Sequence, residues 1–156
     1  MPDSETTYCF DTSAFIDSWR RYYSPDLSFC KPVWDCIERL MKNDRIIITE
    51  EVITELKDKD DEICKFVKKY PDIVKKIDDQ QIELASKILS THSQIIDKSK
   101  TQKNHADVWV MALASIKGAT VVTFESDNRG FGIPAVCKAY KISCLKFQNF
   151  LKAEKI

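Results

Sequence analysis

The sequence lacks an excess of charge of either sign, with 24 Lys and Arg residues against 24 Asp and Glu residues. Net charge therefore indicates neither a nucleic-acid nor a membrane partner, and any nucleic-acid contact has to come from a local basic face. No apolar run approaches the ~20 residues that span a bilayer, and no charged and then apolar leader opens the chain. We expect a cytoplasmic protein with no membrane partner.

Cysteine is present six times but without the spacings that metal sites use. No C-x-x-C occurs, and the two histidines, His92 and His105, are not at a zinc-like interval. Reduced, buried thiols fit this pattern better than disulfides or zinc, because no secretory signal is seen. The cysteines are Cys9, Cys30, Cys36, Cys64, Cys137 and Cys144.

Apolar strands alternate with helical patterns along the whole chain. The strands are expected at Tyr8–Phe10, Arg45–Thr49, Ala119–Phe124 and Ile142–Leu145. Because they are apolar throughout, they predict a sheet covered on both faces, and the alternation predicts parallel strands. At 156 residues, we expect one α/β domain spanning residues 1–156, with three layers in the order α/β/α.

The helical pattern is clearest where apolar residues recur on one face or fill a whole helix. Thr12 or Ser13 is expected to cap the first helix, and Thr49 the helix after the second strand. Lys117 and Gly118 supply a C-terminal stop for the apolar helix before the third strand. Helices are expected to contain Phe15, Trp19 and Tyr22, to begin near Pro32, and to cover Glu50–Lys57, Asp58–Tyr70, residues 77–96, His105–Lys117, Pro134–Tyr140 and Phe147–Ala153.

Several carboxylates fall where the strands end. In an open α/β sheet, ligands bind beyond the carboxyl ends of the strands, so these acids lie at the usual place for chemistry. Asp11 closes the first strand and is followed by two hydroxyl residues, Thr12 and Ser13. The predicted layout brings further acids near the same edge of the sheet: Glu55 from the helix after the second strand, Asp107 from the first turn of the apolar helix before the third strand, and Glu125 and Asp127 from after the third strand. Glu50 and Glu51 are additional candidates.

Carboxylates that face one another repel, which raises the pKa of some members unless a cation lies between them. Hard oxygen ligands suit Mg²⁺ or Mn²⁺, and the natural chemistry is metal-assisted hydrolysis of a phosphodiester. Each acid also has a structural alternative. Asp11 is placed to cap a helix, a helix N-terminus favours Asp107, and Glu55, Glu125 and Asp127 are placed to be solvated.

Four stretches in this order resemble a PIN domain, the nuclease domain of VapC-type toxins in toxin–antitoxin pairs. They are YCFDTS at 8–13, ITEEVITEL at 48–56, ADVWVMALA at 106–114 and VVTFESD at 121–127. The resemblance implies a Rossmann-like sheet of four or five parallel strands, bound Mg²⁺ or Mn²⁺, and hydrolysis of RNA. It also implies the toxin component of a type II toxin–antitoxin system, with an antitoxin protein as partner.

The resemblance also implies a role for each acid. Asp11, Asp107 and one of Glu125 or Asp127 would hold the ion, and Glu55 would complete its shell or orient the attacking water. The fourth family position is usually an aspartate, and here it is Glu125, with Asp127 two residues further on, so both stay open. The hydroxyls that would bond a carboxylate or phosphate oxygen are those of Thr12, Ser13 and Thr123.

Three further sets of residues each have a functional and a structural interpretation. Lysines 98, 100 and 103 would bind RNA phosphates or form a solvated face. His105 would act as general base or be structural. Trp19, Tyr23 and Trp34 would form a groove for a homodimer or an antitoxin, or belong to the core.

Two other functions compete with the nuclease. The first is a catalytically inactive PIN-like module that binds RNA or protein. The second is an aspartyl-nucleophile phosphatase, which requires a second acid where this chain has Ser13. A response-regulator receiver is disfavoured because Thr49 and Thr123 occupy the strand ends where it needs an aspartate and a lysine.

Overall fold

A five-stranded sheet organises the protein, whose computed structural model describes residues 6–91, 105–125 and 132–156. Its strands are β1 (Tyr8–Phe10), β2 (Ile46–Thr49), β3 (Val74–Lys75), β4 (Thr120–Thr123) and β5 (Cys144–Lys146). The described α-helices are α1 (Thr12–Asp17), α2 (Lys31–Lys42), α3 (Glu50–Lys59), α4 (Asp61–Lys68), α5 (Asp79–Thr91), α6 (His105–Lys117), α7 (Ile133–Ala139) and α8 (Phe147–Ala153).

All pairings in the sheet are parallel, and the strand order is β3-β2-β1-β4-β5. The first strand is therefore central: Cys9 pairs with Ile47 of β2 on one side and with Val121 of β4 on the other. Because every strand runs the same way, all five carboxyl ends lie at one end of the sheet. We call this the carboxyl end of the sheet.

Helices cover both faces of the sheet, which explains why the central strands β1 and β2 are buried at every residue. On one face, the Tyr8 and Phe10 rings pack against Phe150 of α8, with centroids 4.9 and 5.2 Å apart. On the other face, the Cys9 thiol donates to the carbonyl of Val110 in α6, with 3.6 Å between Sγ and O. The predicted parallel three-layer α/β/α fold is confirmed.

Several predicted helix ends are also confirmed. Thr49 Oγ1 accepts from the Val52 amide at 3.2 Å and caps α3. Gly118 ends α6 with a φ of 63°, the left-handed conformation that glycine adopts most easily, and the Ala119 amide then bonds the Ala114 carbonyl at 2.8 Å.

The main differences lie in the first half of the chain. The sequence did not predict β3, because two residues are too few to show a period and only pairing with β2 defines them as a strand. The helix expected at Asp58–Tyr70 is α4, and it begins at Asp61. Its start is shifted because Asp60 is extended and its carboxylate caps the amides of Glu62 and Ile63. The helix expected over residues 77–96 is described as far as Thr91.

The first helix is interrupted where α1 changes to a π-helix over Ser18–Tyr22. The Ser18 hydroxyl donates to the carbonyls of Ala14 and Phe15, at 2.5 and 3.0 Å. Such back-bonding by serine competes with the regular helical hydrogen bonds. The simple i, i+4 pattern of Phe15 and Trp19 does not reveal this change.

Of the three aromatic residues with two interpretations, Trp34 belongs to the core, and the half-buried Trp19 and Tyr23 pack against it. Trp34 is 6 % exposed, and its indole donates to the Tyr23 carbonyl at 2.5 Å. Trp19 packs edge-on against Trp34, with 5.0 Å between ring centroids.

The six cysteines are reduced as expected, and all except the half-buried Cys144 are buried. Across the described ranges, no helix combines the length and apolar character needed to cross a bilayer.

Candidate acidic active site

Asp11 follows the central strand and also caps the next helix. Its backbone is extended, and its Oδ1 accepts from the Ala14 amide at 2.8 Å. The expected cap at Thr12 or Ser13 is therefore wrong, because the carboxylate one residue earlier reaches the third amide of α1. Capping was the structural alternative for Asp11, and the residue adopts it while remaining at the carboxyl end of the central strand.

Two hydroxyls hold the Asp11 carboxylate in place. Ser13 donates to Oδ1 at 2.8 Å and Thr123 donates to Oδ2 at 2.6 Å. Each hydroxyl also accepts a backbone amide at 3.1 Å, from Phe124 to Ser13 and from Glu125 to Thr123. Because both hydroxyl oxygens accept these amides, both hydroxyl protons point to Asp11.

Burial controls the protonation of Asp11, which is 2 % exposed. Removal from water raises the pKa of its carboxyl to about 7, and the charge of Glu125 adds to the rise. The hydrogen bonds from Thr123, Ala14 and Ser13 act in the opposite direction and limit it. A pKa near neutrality is typical of functional carboxyls.

Glu55 reaches the site from α3 and is half-buried. The Thr12 hydroxyl donates to its Oε1, which joins the start of α1 to α3. The two hydroxyl residues after Asp11 thus hold two different carboxylates, Thr12 that of Glu55 and Ser13 that of Asp11.

Glu125 follows β4 and occupies the position where the fourth acid is expected. Its Oε2 accepts from the Ile133 amide at 2.7 Å, at the start of α7. Asp127, the alternative, lies outside the described residues, and so do Lys98, Lys100 and Lys103 and the side chain of His105.

Asp107 lies in the first turn of α6, and the charges of the other three described acids affect its pKa. Burial raises the pKa of its carboxyl well above the ordinary value, and the charges of Glu125, Asp11 and Glu55 raise it further, in that order. These three repulsions indicate that Glu125, Asp11 and Glu55 are each within Coulombic reach of Asp107. We call Asp11, Glu55, Asp107 and Glu125 the acid group.

One cation acts against this repulsion. The charge of Lys59 lowers the pKa of Asp107. Lys59 was not predicted as a site residue, although it lies one helical turn after Glu55 on α3, a spacing that places two side chains on one helix face. Glu50 does not join the acid group: its Oε1 accepts from the Ile77 amide at 3.4 Å.

The acid group fits a hard divalent cation in ligand type and charge. It offers carboxylate oxygens whose mutual repulsion a cation would offset. Asp11 has three hydrogen-bond donors for about four lone-pair positions. Among the described residues, however, no three acidic, cysteine or histidine side chains are arranged to hold an ion together. A fit therefore requires side-chain rotation or ligation through water, which Mg²⁺ commonly retains.

The parallel sheet, its strand order and the helices on both faces form a PIN-like fold. The chain is similar to a chain of VapBC2 from Rickettsia felis bound to a DNA fragment from their promoter, with 17% identity and a TM-score of 0.53 over 90% of this chain and 98% of that chain. It is also similar to a chain of FitAcB from Neisseria gonorrhoeae, with 12% identity and a TM-score of 0.54 over 91% and 99% of the two chains. At these identities the likeness shows the fold alone.

The chain belongs to the family described as Domain of unknown function (DUF4411), which matches residues 8–156. Comparison with curated proteins finds no similar sequence.

Proposed function

We propose that the protein is a metal-dependent endoribonuclease that hydrolyses RNA phosphodiester bonds at the acid group. The supporting observation is the repulsion at Asp107, whose carboxyl feels the charges of Glu125, Asp11 and Glu55. A site that only capped helices would not need four carboxylates that disfavour one another's charge. Such unfavourable groupings are typical of functional sites.

The proposed roles are those that the resemblance to PIN domains implies. Asp11, Asp107 and one of Glu125 or Asp127 would hold Mg²⁺ or Mn²⁺, directly or through water. Glu55 would complete the shell or orient the attacking water. When bound, the ion would activate a water and neutralise the charge that develops on the phosphate.

The hydroxyls act as positioning groups in this proposal. Thr123 and Ser13 fix the Asp11 carboxylate, and Thr12 fixes that of Glu55. Held side chains need little reorganisation when the substrate arrives.

We further propose that the protein is the toxin component of a type II toxin–antitoxin system. Its partners would be the RNA substrate and an antitoxin protein, and a homodimer is a second assembly to test. The support is the PIN-like fold shared with chains of VapBC2 and FitAcB. A cytoplasmic location and a single domain over residues 1–156 belong to the same proposal.

A catalytically inactive PIN-like binding module is the second candidate. The observation in its favour is that Asp11 already accepts three protein hydrogen bonds. In the described part of the chain, moreover, no three of the acids are arranged so that they could bind one metal ion together.

The first experiment is cleavage of an end-labelled structured RNA in Mg²⁺, in Mn²⁺ and in EDTA, with Asp11→Asn and Asp107→Asn as variants. We expect cleavage that needs metal and is lost in both variants while circular dichroism shows them folded. If wild type does not cleave, calorimetry with Mn²⁺ separates the candidates. Binding that Asp11→Asn abolishes indicates a narrow substrate, and absence of Mn²⁺ binding supports the inactive module.

A further inference from the structure

Three stacked aromatic rings lead from the core to the surface beside the acid group. Phe147 is buried, Phe124 is half-buried, and Tyr22 is 58 % exposed. The Phe147 and Phe124 rings are 4.9 Å apart at 14°, and the Phe124 and Tyr22 rings are 5.3 Å apart at 19°. Near-parallel rings at these separations are offset stacks, so Tyr22 presents the outer ring of an ordered column.

One cavity at the carboxyl end of the sheet borders this column, and a second cavity adjoins the first. One, of about 320 Å³, is lined by Tyr22, Tyr23 and Phe124 together with Lys146, Phe147 and Gln148. The other, of about 410 Å³, is lined by Thr123, Lys138, Lys146, Gln148 and Asn149 among others. Lys146 and Gln148 border both cavities, which are therefore neighbours.

The second cavity adjoins the acid group through Thr123. The Thr123 hydroxyl bonds Asp11, and in the sheet Thr123 pairs with Lys146 of β5. Neighbouring strands lie ~5 Å apart, so the backbone of Lys146 is one strand spacing away from that of Thr123. Lys146 and Lys138 are both exposed and line the same cavity as Thr123, which places two cations on the side of the acid group where the aromatic column lies.

We infer that single-stranded RNA binds along the surface formed by Tyr22, Phe124, Lys138, Lys146 and Gln148, with a base stacked on Tyr22 and backbone phosphates at the two lysines. This inference rests on the proposed function and specifies the substrate class and the side of the acid group from which the strand enters. Aromatic rings alternating with cations are how proteins bind single strands. A duplex has its bases already stacked and offers no free face to Tyr22.

The test measures binding in EDTA, so that cleavage does not interfere. A fluorescent pool of random single-stranded RNA about 12 nucleotides long matches the usual site size and avoids a choice of sequence. By fluorescence anisotropy, we expect this pool to bind more tightly than duplex RNA of the same length. Tyr22→Leu should weaken binding by about tenfold, while Tyr22→Phe, which keeps the ring, should bind like wild type.

The lysine variants test the phosphate contacts. Lys138→Gln and Lys146→Gln should each weaken binding and reduce the slope of log affinity against log salt by about 0.7. Lys42→Gln is the matched control, because Lys42 is exposed and ends α2 just before β2 begins, at the opposite end of the sheet. It should leave affinity and slope unchanged.

Three results would overturn the inference: no binding of the single-stranded pool, equal binding of duplex, or full affinity in Tyr22→Leu. Different results would refute this inference and the proposed function. Specific single-strand binding with neither cleavage nor Mn²⁺ binding refutes the ribonuclease but not this surface. Metal-dependent cleavage with an unchanged kcat/KM in Tyr22→Leu refutes this surface but not the ribonuclease.

Discussion

Thr123 donates its hydroxyl to Oδ2 of Asp11 at 2.6 Å, across 112 positions of sequence. The contact joins the carboxyl ends of the two neighbouring strands β1 and β4. The same hydroxyl accepts the Glu125 amide at 3.1 Å. One side chain therefore fixes the carboxylate that ends β1 and the backbone that leads out of β4 towards the fourth acid.

Removing this hydroxyl should cost stability. In Thr123→Val, Asp11 loses a donor and the Glu125 amide loses its acceptor, and a buried polar group left unsatisfied costs about 1–3 kcal/mol. We expect that loss in the free energy of unfolding measured with urea. The control is Thr120→Val, at the half-buried start of the same strand. Equal losses in both variants would show that the Thr123 hydroxyl has no special role.

The pH dependence of stability should report on Asp11. Its pKa in the folded protein is raised to about 7 from an ordinary value of 3.8, so folding favours the protonated form. The stabilisation is complete below pH 3.8 and is lost as the pH rises through about 7. The stability of wild type relative to Asp11→Asn in EDTA should therefore fall between pH 4 and 8, by at most about 4 kcal/mol at 1.36 kcal/mol per pKa unit. A difference that rises with pH would contradict the assigned direction.

Asp107→Asn should separate stability from metal binding. In EDTA at pH 8 it removes a carboxyl that ionises in the unfolded chain but whose ionisation burial and three neighbouring acids oppose in the folded protein. We therefore expect a higher Tm, by about 2–4 °C per kcal/mol regained. Added Mn²⁺ should raise the Tm of wild type and have little effect on the variant, because a ligand stabilises only the state that binds it. Differential scanning fluorimetry measures both effects. A lower Tm of Asp107→Asn in EDTA would instead mean that the charge of Asp107 is structural.

Variants of Glu55 and Thr12 separate the effect of the Glu55 charge on cleavage from the effect of holding that carboxylate in position. Glu55→Gln keeps an oxygen that accepts from Thr12 but removes the carboxylate, so it should fold like wild type and lose about 10²-fold or more in the single-turnover cleavage rate. Thr12→Val keeps the carboxylate but removes the hydroxyl that holds it. We expect this variant to lose less activity than Glu55→Gln. The reverse order would show that Glu55 acts only as a structural partner of Thr12.

The sequence predicts those elements whose own residues determine them. The apolar runs at Tyr8–Phe10 and Ile46–Thr49, and the buried helix that Gly118 ends, need no information from the rest of the chain. Strand β3 has no such signal, because Val74 is a strand residue only through its pairing with Ile48.

The same distinction between local and long-range determinants applies to the candidate site. Strands and the helices next to them can be located in a sequence, so the acids of the acid group, and the cap that Asp11 makes, were predictable as candidates. The orientation of the other side chains was not, because it depends on partners far along the chain. Neither the bond from Thr123 to Asp11 nor the position of Lys59 near Asp107 can be read from local residue patterns.

The central position of β1 has a consequence for synthesis on the ribosome. The strand made first pairs with β4, which is made more than a hundred residues later, and its Tyr8 hydroxyl bonds Glu154 at 2.5 Å, 146 positions away. Long-range pairing of this kind is slow, and it cannot begin before the later partner has emerged. Until β4 has left the ribosome, the nascent chain therefore carries Asp11 without Thr123 beside it. We expect the acid group to assemble only after that point.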